Sequence, residues 1–275
     1  MSKNLLFVTW NATPEIGEAF GITFRWYGIL FAIGLFFGGW YTYNRCKRIG
    51  YTQSQFESLL IYLFVGIFIG ARLAHCLFYE PVYYLSHPLE MLLPITIYPD
   101  GRWVFSGYHG LASHGGGAGV AIAVWIFCKR HKTAFWPLAD ILAIATPLAG
   151  AFIRLGNLMN SEIVGAPTTV PWAFVFPLYD GVPRHPAQLY EAAFYLLLFG
   201  CMWLIHNKLK DIPDGVSLGL VCAAIGAFRF GIEFLKEVQS PFERGMALDM
   251  GQWLSLPLIA VGIGIVVYRL RKRHQ

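Results

Sequence analysis

Charge is what this sequence has least of. Of its 275 residues, 13% are Asp, Glu, Lys or Arg, about half the ~25% of an ordinary soluble domain. The deficit runs the whole length, and no polar stretch is long enough to build a separate soluble core. Paired cysteines are also missing. Cys46, Cys76, Cys128, Cys201 and Cys222 are scattered, with no Cys-x-x-Cys spacing. That argues against a disulfide framework and a thiolate zinc site, and leaves the thiols as small packing groups. No metal-ligand spacing occurs elsewhere, so neither metal nor cofactor is expected. A cleavable signal pattern is absent too, because Asn11, Pro14 and Glu15 interrupt any early apolar run. The motif His-Glu-x-x-His and a pair of intramembrane aspartates are both lacking, which disfavours an intramembrane protease or lipid phosphatase.

What is there is apolar. Hydrophobic residues make up 56% of the chain, and the mean hydropathy is +0.51. A helix needs about 20 apolar residues to cross a bilayer. Seven runs qualify, at about 24–43, 56–79, 108–128, 135–155, 187–206, 215–235 and 250–268. The expectation is an all-α integral membrane protein of seven transmembrane helices, forming one polytopic domain over 1–275. Two long connections separate them. Residues 80–107 hold Pro81, Pro88, Pro94 and Pro99, and the short apolar piece Met91–Ile97 reads as interfacial or re-entrant. Residues 156–185 are rich in proline and aromatics.

The net charge of +5 does not point to nucleic acid, because its placement is what matters. Arg45, Lys47 and Arg48 follow the first run; Lys129, Arg130 and Lys132 the third; Lys208 and Lys210 the fifth; Arg269, Arg271, Lys272 and Arg273 the seventh. Those are twelve of the 21 basic residues, all on one side. By the positive-inside rule that side is cytoplasmic. The N-terminus is then outside, the C-terminus inside, and the loop region between the fourth and fifth helices (about 156–185) faces the periplasmic side.

The polar residues that remain are concentrated. Arg154-Leu155-Gly156-Asn157-Leu158-Met159-Asn160-Ser161-Glu162-Ile163-Val164-Gly165 closes the fourth run, and polar groups at membrane depth are costly and usually functional. A weak recurrence links it to two other runs: Gly70-Ala71-Arg72, Gly150-Ala151-Phe152-Ile153-Arg154 and Gly226-Ala227-Phe228-Arg229. At ~1.5 Å rise per residue all three arginines fall in the outer half of the membrane, which suggests one shared polar site. A guanidinium there must snorkel, pair or bind an anion, and its fork matches phosphate oxygens. Arg229 has Glu233 at i+4, so a structural ion pair competes with the anion reading. Asp140 shares a face with Arg154 but lies ~21 Å away along the helix, too far to neutralise it.

Three further groups are candidates. Arg184-His185-Pro186 opens the fifth run, where free amides and the helix dipole form an anion site. His114 lies in Ser113-His114-Gly115-Gly116-Gly117-Ala118-Gly119, whose Gly115 and Gly119 make a seam for close helix packing. His109 and His75 are weaker. Tyr27, in Arg25-Trp26-Tyr27-Gly28, reads first as an interface anchor.

Taken together, these segments resemble the bacterial prolipoprotein diacylglyceryl transferase family. The resemblance is carried by Arg25–Leu30, Gly70–Leu73, Ser113–Gly116, the whole Arg154–Gly165 stretch, Arg184–Glu191, Gly226–Arg229 with Glu233, and Met250-Gly251-Gln252, in family order. The chain departs from the family pattern at Leu158, where Phe is common, and in the Gly-Leu-Ala-Ser preceding His114. The resemblance implies seven spans with N-out, C-in topology. It implies transfer of the diacylglyceryl group of phosphatidylglycerol to the lipobox cysteine thiol of a preprolipoprotein signal peptide, at the outer leaflet of the bacterial inner membrane. It also implies roles. Arg154 and Arg229 bind the lipid phosphate, and Glu162 and Glu233 orient them or share protons. His114 is the base or positioner, and Asn157, Asn160 and Gly165 shape the head-group pocket. Tyr27, Arg184 and His185 contact the lipid head, with Asp140 and Arg72 behind. The group that takes the thiol proton stays open between His114, a carboxylate and the arginine network. A transporter or channel, which also uses intramembrane charge, is the competing reading. It is disfavoured because the polar residues do not continue inward beyond Asp140 and no inverted repeat is visible.

Overall fold

The computed structural model describes residues 7–98, 100–107, 110–209, 212–237 and 245–273. His109 and Lys210 lie outside the described residues. The chain is mostly helical, with helices α1 (Trp26–Arg48), α2 (Gln53–Phe78), α3 (Pro81–Ser86), α4 (Pro88–Leu92), α5 (Ser113–His131), α6 (Phe135–Met159), α7 (Ala187–Lys208), α8 (Val216–Ile232) and α9 (Met250–Arg273). A long helix thus lies over each of the seven apolar runs. Among the described residues, five segments are both long and apolar enough to cross a membrane: α2, α6, α7, α8 with its 3-10 extension to Leu235, and α9. Short strands accompany the helices: β1 (Val8–Thr9), β2 (Glu15–Ala19), β3 (Ile22–Arg25), β4 (Ile95–Ile97), β5 (Trp103–Phe105), β6 (Phe174–Val175) and β7 (Pro183–Arg184).

The described residues fall into two compact units, residues 1–45 with 140–275, and residues 46–139. In the second unit, Thr52 and Gln55 form a capping box that starts α2. Helices α2 and α5 then cross on glycines. A Cβ on Gly115 or Gly119 would collide with the carbonyl oxygen of Gly70 or Gly66, so the expected small-residue seam is present and the backbones touch. The 80–107 connection has structure of its own. It folds as α3, α4 and the antiparallel β4–β5 pair, because Pro81 and Pro88 each open a short helix.

Arg72 holds that connection down. Its guanidinium donates to the carbonyls of Glu90 (2.6 Å) and Met91 (3.1 Å) and lies over the Tyr84 ring. The Glu90 carboxylate accepts from the Tyr83 hydroxyl at 2.6 Å and the Ile97 amide at 2.7 Å.

In the first unit, α8 and α9 cross at Gly219, Gly226 and Gly262, again too close for side chains. The buried Asp140 carboxylate accepts from the amides of Gly215 (2.6 Å) and Leu218 (2.7 Å). It satisfies the free N–H groups and positive dipole end of α8, which explains an acid in an apolar run. The 156–185 region is pinned by a small sheet. Strand β1 pairs in parallel with β6, and β6 antiparallel with β7. Leu158, Val164 and Phe176 form a core beneath it, flanked by Trp10, whose indole donates to the Leu158 carbonyl at 3.0 Å.

Candidate functional site

The polar centre of the first unit is assembled from α6, α7, the 3-10 turn Glu233–Leu235 after α8, and the 156–165 loop. Arg154, on the last turns of α6, places Nε 3.1 Å from Glu191 Oε2 on α7. Its Nη1 donates to Asn157 Oδ1 at 3.2 Å. Glu191 is fully buried, and its other oxygen lies 3.0 Å from Lys236 Nζ. Lys236 in turn lies 3.0 Å from Glu233 Oε2. Four charges therefore alternate in sign: Arg154, Glu191, Lys236, Glu233. Each buried carboxylate faces a cation, as burial of charge requires.

Glu162 anchors a second branch. Its Oε1 accepts from Asn157 Nδ2 at 2.7 Å and from Asn160 Nδ2 at 3.2 Å. Asn157 thus bridges Arg154 to Glu162, so Glu162 orients Arg154 through an amide and not by direct contact. The loop that presents Glu162 is bent hard. Ser161 (φ 52°) and Ile163 (φ 57°) are both left-handed. That is an outlier for a β-branched residue, and such strain persists only where surrounding contacts over-determine it. Here the Glu162 amide donates to Asn157 O and the Gly165 amide to His185 O.

Gly165 is wedged. A Cβ there would meet the His185 backbone carbonyl and Cβ and, at 2.8 Å, the Leu235 carbonyl. Only glycine fits at that crossing of three segments. Gly156 plays a similar part against Tyr27, whose ring lies 2.8 Å from where a Cβ would stand. Tyr27 also lies within electrostatic range of Glu162 and Arg154.

Arg229, one turn before the end of α8, has no ion pair among the described residues. The Arg229–Glu233 pair that competed with the anion reading does not form. Helix α8 gives way to a 3-10 turn at Glu233, and the Glu233 carboxylate lies against Gly251 and Lys236. Arg154 and Arg229 both lie within electrostatic range of the buried Tyr195 of α7.

Arg184 has a different job from the anion contact expected of it. Its buried guanidinium pairs with Asp180 at 2.5 Å and Glu237 at 2.6 Å and donates to the Gly165 carbonyl at 3.0 Å. Asp180 is held below the usual carboxylate range by the hydrogen bonds from Arg184, and Arg184 is shifted further upward by the same pairing. It is a brace that fixes Gly165. The opening of α7 is not a free anion site either. Pro186 caps the helix, and the amides of Ala187, Leu189 and Tyr190 donate to the carbonyls of His185 and Pro186. His185 Nδ1 lies 3.2 Å from the Tyr190 hydroxyl, which also accepts from the Trp172 indole at 2.7 Å.

His114 and Arg72 belong to the second unit. His114 begins α5, partly exposed, stacked on Tyr79 (6.0 Å) with Phe78 edge-on (6.2 Å). Arg72 donates to main-chain carbonyls of its own unit. His75 stacks on Tyr79 and lies 4.0 Å from Glu80. Sequence reasoning gave no role to Lys236, Glu191 or Gln188. The last two follow the Arg-His-Pro segment one turn apart on α7, which was the available signal. Lys236 carried none, because a lysine after an apolar run ordinarily reads as an interface residue. Among the described residues no cluster of three or more His, Cys, Asp or Glu could hold a metal.

Fold and centre together define a multi-pass helical membrane protein with a buried polar centre. A family model described as prolipoprotein diacylglyceryl transferase matches residues 14–268. Relatives named phosphatidylglycerol–prolipoprotein diacylglyceryl transferase are 49% identical in Bacteroides fragilis over 99% of both chains, and 42% identical in Tolumonas auensis over 96% of this chain and 98% of that one. Another, from Porphyromonas gingivalis, is 40% identical over 95% of this chain and 94% of its own. The chain belongs to the prolipoprotein diacylglyceryl transferase family.

Proposed function

We propose that this membrane transferase moves the diacylglyceryl group of phosphatidylglycerol onto the lipobox cysteine of prolipoprotein signal peptides, the first step of lipoprotein maturation. The thiol sulfur attacks the glyceryl carbon next to the phosphate, a C–S bond forms, and the C–O bond breaks. Glycerol phosphate leaves with the bonding electrons, and the thiol proton passes to a base. Charge grows on the phosphate as it leaves, so cations aimed at it lower the barrier.

The observation that carries this reading is the contrast between Arg154 and Arg229. Glu191 and Glu233 both answer to Lys236, and Glu191 is shared with Arg154. Arg229 has no carboxylate among the described residues. A guanidinium with no carboxylate partner of its own suits a phosphate. Glu162, Asn157 and Asn160 hold Arg154 and the head-group pocket, with Gly165 and Tyr27 at its edges. His185 stands beside them, and Asp140 acts only through the start of α8. His114 keeps the role of base or thiol positioner. The protein works as one polytopic domain of seven spans in the bacterial inner membrane, N-terminus out and C-terminus in, with the centre on the periplasmic side. The basic residues after runs one, three, five and seven support this orientation.

The test is purified protein with phosphatidylglycerol vesicles and a lipobox peptide. The peptide gains the mass of a diacylglyceryl group on its cysteine. Folded protein that gives no gain, but passes a labelled solute across reconstituted vesicles, would replace this reading with transport.

A further inference from the structure

Rings, not hydrogen bonds, hold His114. Among the described residues no hydrogen bond reaches its imidazole. The ring is stacked on Tyr79, with centroids 6.0 Å apart and planes at 28°, and Phe78 stands edge-on at 6.2 Å. A functional histidine ordinarily takes its orientation from a hydrogen bond to one ring nitrogen. Here the flat face of the imidazole carries the constraint, and Tyr79 supplies the surface it lies against.

Tyr79 is itself held from behind. It caps the C-terminus of α2, and its amide donates to the His75 carbonyl at 3.0 Å. The His75 imidazole stacks on the Tyr79 ring at 5.5 Å and 17°. His75 has no room to swing away, because Gly110 (φ 79°) lies so close that a Cβ there would strike its ring. Tyr84 meets His75 edge-on at 6.1 Å and lies 4.7 Å beneath the buried Arg72 guanidinium. The Ala112 amide donates to the Ala71 carbonyl at 3.0 Å, which fixes where α5 starts against α2. A run of side chains from Arg72 through Tyr84, His75 and Tyr79 thus ends on His114, all within one compact unit.

We infer that Tyr79, backed by His75, is a positioning residue that holds the His114 imidazole in one orientation for the transfer. This rests on the role given to His114 above and adds the residues that act through it. Tyr79 moves no proton. Its ring supplies a face, and its hydroxyl has no part in the effect.

The experiment measures kcat and KM for a lipobox peptide in phosphatidylglycerol vesicles. It also measures the rate at which diethyl pyrocarbonate modifies His114, read by peptide mass spectrometry. His131, held by Ser58 at 3.2 Å at the other end of α5, is the internal control. Tyr79→Leu, which keeps bulk and loses the ring, should lower kcat/KM roughly two- to tenfold, the factor that one aromatic stack supplies. It should speed modification of His114 and leave His131 as it was. Tyr79→Phe should recover both readings. In a His114→Asn background Tyr79→Leu should lower kcat/KM no further, because residues that act as one unit do not add. Native kcat/KM in Tyr79→Leu, a multiplied loss in the double variant, or equal speeding at His114 and His131 each overturns the inference. So does failure of Tyr79→Phe to recover activity, which would assign the effect to the hydroxyl. A His114→Asn protein with native kcat and KM sinks the role of His114 itself. The modification rate then decides the contact separately: raised in Tyr79→Leu it upholds the hold on the ring, unchanged it overturns it.

Discussion

Lys236 and Glu191 lie 3.0 Å apart with both side chains almost wholly inaccessible, though 45 residues separate them in the chain. Glu191 gives its other oxygen to Arg154. The lysine therefore sets the position of a carboxylate that sets the position of Arg154, the proposed phosphate ligand. Lys236→Met would leave two buried carboxylates, Glu191 and Glu233, short of a cation. Breaking such a pair from one side costs ~3–5 kcal/mol. Thermal unfolding in detergent should fall clearly, and transfer should fall with it. Lys236→Arg, which keeps the charge, should recover most of the stability. A Lys236→Met protein as stable as the native one would remove the lysine from this role.

Arg154→Ala and Arg229→Ala should each lower kcat by ~10²–10³ or more, the scale of losing one group that stabilises developing charge. Both variants should still insert in the membrane. Arg229→Lys is the sharper test, because it keeps charge and loses the fork. Native turnover in Arg229→Lys would show that charge alone suffices at that position.

Gly165→Ala puts a methyl group between His185 and Leu235, where no space exists. Overpacking of this kind costs ~1–3 kcal/mol. The shift would move the 156–165 loop and with it Glu162, so activity should drop further than stability. Gly17→Ala, where a Cβ meets nothing, should be neutral in the same two measurements.

The Glu90–Tyr83 hydrogen bond predicts a pH window for the 80–107 connection. Burial pushes the Glu90 carboxyl up, but the Tyr83 hydroxyl and the Ile97 amide outweigh it and hold it below its ordinary 4.5. The Tyr83 phenol is pushed up from 10.0 to about 12 by its bond to Glu90. A depressed carboxyl stabilises above its unfolded value and loses that contribution as pH falls through the folded one. A raised phenol stabilises below its unfolded value and loses it as pH rises through about 12. Hydrogen exchange over 80–98 should be slowest between about pH 5 and 10, after correction for intrinsic rates. Glu90→Gln should flatten the acid side of that profile.

His114→Asn separates base from positioner. Loss of turnover with a lost ionisation in the pH–rate profile supports a base. Near-normal kcat with raised KM for the peptide makes His114 a positioner.

The helical, membrane-spanning character and the residues around Arg154 were legible in the amino-acid order, for a plain reason. Lipid enforces long apolar runs, and a polar stretch stands out against them. The glycine seam was legible because close backbone contact leaves no substitute for a missing side chain. Partner choice was not. Glu233 sits at helical spacing from Arg229, yet a single 3-10 turn carries it to Lys236. Arg72 shares a motif with Arg154 and Arg229, yet it binds main-chain carbonyls of its own unit. Arg184 reads as an anion ligand until Asp180 and Glu237 are seen on either side of it. The sequence by itself determined that Arg154, Asn157, Glu162 and Gly165 would be held in one short stretch, because covalent connectivity keeps them together. Only the tertiary structure decided that Glu191, Lys236 and Gln188 complete the centre. Their contacts with it span from 26 to 45 residues, and which distant charges pair is settled by where the helices end, not by spacing along the chain.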